Sequence, residues 1–404
     1  MEYIVTDKLQ SERNLRSRLI GAALAWGLAL MLIVLAAPPA AAQTFKVVYA
    51  FTGGADGGGP WGTPLFSGGF IYGTTFHGGS LSSNQAGAVF EFVPIVPLEE
   101  TLYDFAGQPY DGAAPMSGLI TDGFGDFFGT TTQGGFSLRG TIYEISGGSE
   151  FVLYNFTGPD GETPEGNLII DPDGDLYGTT SNGGANDSGS VFALSSGDTF
   201  VQLYSFGNNA NDGIGPASSL VLQKGVLYGV TTEGGAHGWG TIFSLNIKTK
   251  AETVLYSFRG RKDGAIPVGA LASDGKGNLY GTTSAGGSGN GTAGNGVVFM
   301  LNIASLQYTV VHTFTGLDGS QPLGGLISGQ GNFYGTTYAG GAKGYGTVFQ
   351  LNSAGTLTTL YSFTNGTDGA YPYAGVTLDS SGNLYGAATR GGQHDWGTLF
   401  EIVP

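Results

Sequence analysis

Few side chains in this chain are suited to covalent chemistry. There is no cysteine, and the four histidines, His77, His237, His312 and His394, show neither HxxxH nor HExxH spacing for zinc. A P-loop, a nucleophile elbow and a dinucleotide fingerprint are absent, and Gly-x-Gly matches carry no weight among 75 glycines. Acidic residues number 31, yet no two stand out as the acid and base of a glycosidase. No catalytic residue is assigned.

Recognition by aromatic rings is what remains. Trp61, Trp239 and Trp396 all fall in loops, and Tyr345 sits at the position of Trp239 and Trp396, two residues before a recurrent threonine. Tyr371 lies in a loop of the other kind, and Arg390 and His394 are polar companions. Rings on a rigid scaffold suit stacking on sugars, with Arg and His donating to hydroxyls. The architectural alternative is that each ring caps the space between two repeat units, since an aromatic recurs at one repeat position. The grouping Trp61, Tyr371, Arg390, His394 and Trp396 breaks the repeat symmetry most, and with Trp239 and Tyr345 it forms the candidate ligand-binding set.

The scaffold is a repeat. Leu279-Tyr280-Gly281-Thr282-Thr283 returns with small changes around Gly73, Gly129, Gly178, Gly229, Gly335 and Gly386, so seven copies lie 49 to 56 residues apart. Tyr, Thr, Leu and Phe with alternating sides read as a strand. A glycine inside it marks close approach, expected from a large side chain of the neighbouring unit. In residues 324–363, strand A is expected at Gly325–Ile327, B at Phe333–Thr337, C at Gly346–Leu351 and D at Thr356–Phe363. Four strands repeated seven times predict an all-β, seven-bladed β-propeller. The chain ends on a strand C, Gly397–Ile402, while Thr44–Phe51 resembles a strand D, so the first strand is expected to join the last blade and close the ring.

Each D-to-A loop carries Asp-Gly and then Pro, from Asp56 with Pro60 to Asp368 with Pro372. A ring of carboxylates for Ca²⁺ is one reading; recurrence in every unit favours turn chemistry instead. Asp171-Pro172-Asp173-Gly174-Asp175 resembles a calcium loop but lacks the distal ligands, so no cofactor is expected. His312 replaces a recurrent strand-D tyrosine and is expected in the core.

Arg13, Arg16 and Arg18, an apolar run from Leu19 to Ala37 and Ala40-Ala41-Ala42 read as a signal peptide over 1–42, leaving a propeller over 43–404. An uncleaved anchor is the alternative. The expected location is secreted or periplasmic, with no membrane contact after cleavage. A net charge of −16 repels nucleic-acid phosphates, so no nucleic-acid partner is expected. Charged residues at 11% and aromatics at 12% exclude a disordered chain.

The unit Leu-Tyr-Ser-Phe…Asp-Gly…Pro…Gly-Asn-Leu-Tyr-Gly-Thr-Thr…Gly-Gly…Gly-Thr-Val-Phe, as at 255–299 and 360–400, resembles the GloVer (Gloeo-Verruco) tandem repeat of exported bacterial proteins over 45–404. The resemblance implies the repeat and export, often with a C-terminal surface-sorting segment, which is not seen before Pro404. It implies no reaction and no functional residues. The expected function is a binding or scaffold module for polysaccharide or a cell-surface protein, through the face that carries the D–A and B–C loops. An extracellular glycan-degrading hydrolase or lyase is the alternative.

Overall fold

The computed structural model describes residues 43–79, 85–94, 98–107, 109–288 and 293–403. Thr44–Val403 is one compact unit; the expected signal peptide at 1–42 lies outside the described residues. Among the described residues there is no helix. Seven four-stranded antiparallel sheets form the blades of a seven-bladed β-propeller. Blade 1 runs Leu65–Ser67, Phe70–Thr75, Ala88–Val93 and Leu98–Asp104, which are its strands A to D. Blades 2 to 6 repeat that order. Blade 7 takes strands A to C from Thr377–Leu378, Leu384–Ala388 and Thr398–Val403, and its strand D from Thr44–Ala50. The closing pair runs from Thr44 opposite Val403 to Ala50 opposite Thr398, so the edge of blade 7 is covered by the start of the chain.

The core is distributed. Seven clusters of buried residues each join two adjacent blades. Phe51 is fully buried with Ile71 and Phe90 of blade 1 and Leu399 of blade 7. Phe45 packs with Phe400 of blade 7 and Tyr361 of blade 6. Closure therefore seals the junctions on both sides of blade 7. Burying the Phe51 ring stabilises by about 1.5–3 kcal/mol, and the partly buried Phe45 by less.

The repeated glycine is explained differently from expectation. A Cβ at Gly73 would lie 2.5 Å from Phe90, and at Gly281 2.5 Å from Phe299. Phe90 and Phe299 are the directly opposed strand-C residues of the same blade, not residues of the neighbouring unit. Each ring lies over its glycine because directly opposed residues of paired antiparallel strands are nearest neighbours on one face, and glycine leaves that space free. Strand A also departs from expectation: in blade 6 it is Ile327–Gly329. Gly324 and Gly325 precede it as irregular backbone pressed against Ala374 and Ala270 of the adjacent blades. Every strand D carries a β-bulge just before its tyrosine or histidine, for example between Val152 and Tyr154. The extra residue adds local twist and turns the next side chain toward the loop.

Candidate functional site

The D–A and B–C loops share one face, and a single backbone device holds them there. The residue before each loop proline has φ of +54° to +66°: Gly59, Ala114, Thr163, Gly215, Ile266, Gln321 and Tyr371. The five that are not glycine are strained before proline, at a cost of about 1–3 kcal/mol each. The strain is fixed by two hydrogen bonds. Its N–H donates to the preceding blade's B–C loop, as Gly59 to the Trp396 carbonyl at 2.8 Å and Tyr371 to the Tyr345 carbonyl at 2.9 Å. Its carbonyl accepts from its own blade, as Tyr371 from Thr389 N–H at 3.3 Å. The same pair recurs at all seven junctions, so the aromatic loop residues are clamped blade to blade.

On that clamp stands an unbroken arc of rings across blades 6, 7 and 1. It runs Tyr345, Tyr371, Tyr338, Tyr373, Trp61, Phe76, His77, Trp396, with successive centroids 4.6–6.4 Å apart. Six of these rings are half-buried, and His77 and Trp396 are exposed. Burial, then the Arg390 guanidinium nearby, lowers the His77 pKa. Arg390 is exposed, as is His394 at the tip of the same loop. The structure thus brings Trp61, Tyr345, Tyr371, Arg390 and Trp396 to one region. Trp239 lies apart, in blade 4, packed on the blade 4–5 core and over Gly260, where a Cβ would meet its Nε1 at 2.6 Å. Trp396 also covers a loop glycine, Gly53, yet keeps 36% of its surface exposed. At this repeat position, capping and ligand contact are therefore compatible roles for one ring.

A family model described as the Gloeobacter/Verrucomicrobia repeat matches residues 34–169, 83–293 and 288–404, spanning every blade. The chain belongs to that family. Within the Gloeobacter/Verrucomicrobia repeat, the motif accounts for strands B, C and D and for the loop prolines. Among solved structures, the chain is similar to the extracellular domain of a putative one-component system from B. thetaiotaomicron, at 10% identity and TM-score 0.57, covering 88% of this chain and 40% of that one. It is also similar to a Niastella koreensis GH74 enzyme, at 15% identity and TM-score 0.56, covering 86% of this chain and 53% of that one. Both likenesses are of fold, and in each this chain spans about half or less of the other protein. None of the curated proteins matches the chain beyond chance.

Two features of this repeat protein escape sequence reasoning. The first is the inward place shared by the residue after each loop proline, of which only Trp61 is in the candidate set: Trp61, Met116, Glu165, Ala217, Val268, Leu323 and Tyr373. All seven line one cavity of about 280 Å³ at the centre of the ring. Equivalent in place and different in every blade, they are the least repeat-like residues of the inner wall. The signal available was their fixed offset from proline. The second is a group of exposed apolar side chains on blade 2, Tyr110, Phe136 and Leu138, where the rings of Tyr110 and Phe136 meet edge to face at 5.4 Å.

The loop aspartates are occupied by the fold. Each accepts from the strand-D tyrosine hydroxyl, or from His312 Nε2 in blade 5, at 2.5–3.1 Å. Each also accepts a backbone N–H, as Asp368 does from Thr364. His312 is therefore partly exposed and bonded to Asp318 rather than a core residue, because it inherits the tyrosine's role. Asp171 accepts from Asp173 and Asp175 N–H and from the Tyr177 hydroxyl, which makes the calcium-like segment an Asx turn. Among the described residues no three His, Cys, Asp or Glu side chains gather as metal ligands.

Proposed function

We propose that this protein is an exported glycan-binding propeller that holds a polysaccharide chain along the arc from Tyr345 to Trp396. The carrying observation is the continuous run of half-buried and exposed rings confined to three of seven equivalent blades. Architecture alone repeats in every blade; this arc does not. Ring faces of this kind pack against the C–H faces of sugars, and Arg390, His77 and His394 supply donors at its edge. The rigid clamp beneath it reduces the ordering cost of binding. Export rests on the leader-like segment at 1–42, and is tested by sequencing the mature N-terminus of protein recovered outside the cytoplasm.

The functional test is retention on a panel of insoluble and soluble polysaccharides, with product analysis of any that bind. The expected result is saturable retention of intact glycan, reduced at least tenfold by Tyr371→Ala or Trp396→Ala in protein that keeps its melting curve. Shortened oligosaccharides would replace this reading with a hydrolase or lyase. Absence of retention on every glycan would leave a protein-binding scaffold.

A further inference from the structure

The central cavity offers chemistry that the arc does not. Its wall is largely apolar, with Met116, Val268 and Leu323 among the residues that line it. Trp61 and Tyr373 form an aromatic corner, with centroids 4.6 Å apart and planes inclined by 36°. Into the same cavity comes Glu165, the one charged side chain among the residues that line it. Glu165 Oε1 accepts from the Ser181 hydroxyl at 3.1 Å. Among the described residues no lysine or arginine forms an ion pair with it; the ion pairs present are Arg139 with Glu162 and His312 with Asp318. A carboxylate set among apolar groups with no counter-ion is costly. The structure shows that cost in two places. Burial raises the Glu165 carboxyl above its ordinary range against the Ser181 bond. Burial, then the Glu165 charge and Tyr338, pushes the Tyr373 phenol up to about 12.

We infer that the central cavity is a second binding site, for a small organic cation bearing an ammonium group, seated against Trp61 and Tyr373 with Glu165 as its counter-ion. Three properties of the site converge on that class. Electron-rich ring faces attract an ammonium group. The carboxylate gains the partner that the protein does not supply. A chain of net charge −16 draws cations toward its openings. A neutral sugar would satisfy the rings and leave the carboxylate unpaired. The residue after proline then sets specificity blade by blade, because the clamp holds its backbone while leaving its side chain free to differ.

The test uses the purified protein, choline, and its neutral isostere 3,3-dimethyl-1-butanol, titrated calorimetrically at neutral pH and low salt. Choline is expected to bind saturably and at least about tenfold more tightly than the isostere. Glu165→Gln should abolish that preference, and Trp61→Ala should weaken choline. Equal affinity for the two compounds, no saturable choline binding, or full choline preference in a folded Glu165→Gln variant would each overturn the inference. Because the arc and the cavity share Trp61, its variant alone does not separate the two sites. Choline titration reads the cavity and polysaccharide retention reads the arc, so one can fail while the other stands.

Discussion

Four residues before the strand-D tyrosine or histidine, six of the seven blades use one of two solutions to one packing problem. In three junctions an aromatic ring lies flat on the tyrosine of the preceding blade: Phe200 on Tyr154 at 3.8 Å, Tyr308 on Tyr256 at 4.0 Å, and Phe45 on Tyr361 at 3.5 Å. In three others the position holds a glutamate: Glu99 beside Tyr49, Glu150 beside Tyr103, and Glu252 beside Tyr204. The seventh holds Leu357. Burial is the main cause of the raised glutamate pKa values, about 7, 8 and 7 in chain order, and the loop aspartates Asp56, Asp111 and Asp212 add to it. Identical backbones thus tolerate a stacked ring or a carboxyl held toward its neutral form. The difference is that only the second kind responds to pH near neutrality.

The largest effect should come from removing one aromatic junction together with the closing strand. Deleting Thr44–Phe51 strips blade 7 of its strand D, removes the Phe45 stack on Tyr361, and opens the core that Phe51 fills. The melting temperature should fall by more than about 10 °C, or cooperative melting should be lost. An unchanged melting curve would mean that the two sealed junctions contribute little.

Single substitutions sharpen the contrast. Phe200→Ala removes a ring stacked on Tyr154 and touching Phe156 and Phe192. It should cost about 2–4 kcal/mol in urea unfolding, below a fully buried phenylalanine because Phe200 is only half-buried. Glu252→Ala at the equivalent place should cost less than about 1 kcal/mol at pH 8. Equal costs would show that the position is energetically uniform, whatever occupies it.

The carboxyl junctions also carry a pH signature. The folded pKa of Glu99, Glu150 and Glu252, about 7, 8 and 7, stands above that of an unfolded glutamate. Between the unfolded and folded values the folded state binds more protons, so stability falls as pH rises. The contribution is complete below the unfolded glutamate pKa, is lost progressively upward, and is gone above about pH 8. Urea midpoints at pH 5, 6.5 and 8 should decline in that order. The triple variant Glu99→Gln, Glu150→Gln, Glu252→Gln should flatten the series and raise the pH 8 midpoint. Gln substitutions that leave the slope intact would assign it to other groups.

These junctions were invisible in the linear sequence, whereas the blades were not. Leu279–Thr283 and its copies announce strand B because their composition and alternation are local, and the spare strand at Thr44 was legible because it shares the Tyr-x-Phe ending of the strands D other than blade 5, where His312 stands for the tyrosine. The partners of Glu150 and Phe200 lie one whole repeat away and share no motif with them, so only superposed blades reveal the choice. The misplaced partner of Gly281 has the same origin: both the neighbouring unit and the opposed strand offered a phenylalanine, and register decided for Phe299. Trp61, Tyr371 and Trp396 drew notice as aromatics in loops. Glu165 did not, since a lone acid after a loop proline looks like solvated turn chemistry until the ring places it on the cavity wall.

The smallest expected effect tests whether a carboxyl junction carries an avoidable cost. Strand C has phenylalanine over the repeated glycine in six blades, and Tyr143 in blade 2. Its ring is fully buried, with the hydroxyl over Gly129, and that hydroxyl has no hydrogen-bond partner; nor has Oε1 of Glu150 nearby. Burial and the Glu150 charge raise the Tyr143 pKa far beyond the ordinary phenol range, so the group stays a neutral, unsatisfied donor. Tyr143→Phe deletes that donor and restores the residue that the other blades use. A stabilisation of about 1 kcal/mol is expected in urea unfolding, because a buried polar group without a partner costs about 1–3 kcal/mol and some is recovered in packing. A loss of similar size would mean that a bound water or the Glu150 carboxyl satisfies the hydroxyl in solution, and would place a polar contact inside the blade 1–2 junction where the aromatic junctions have only rings.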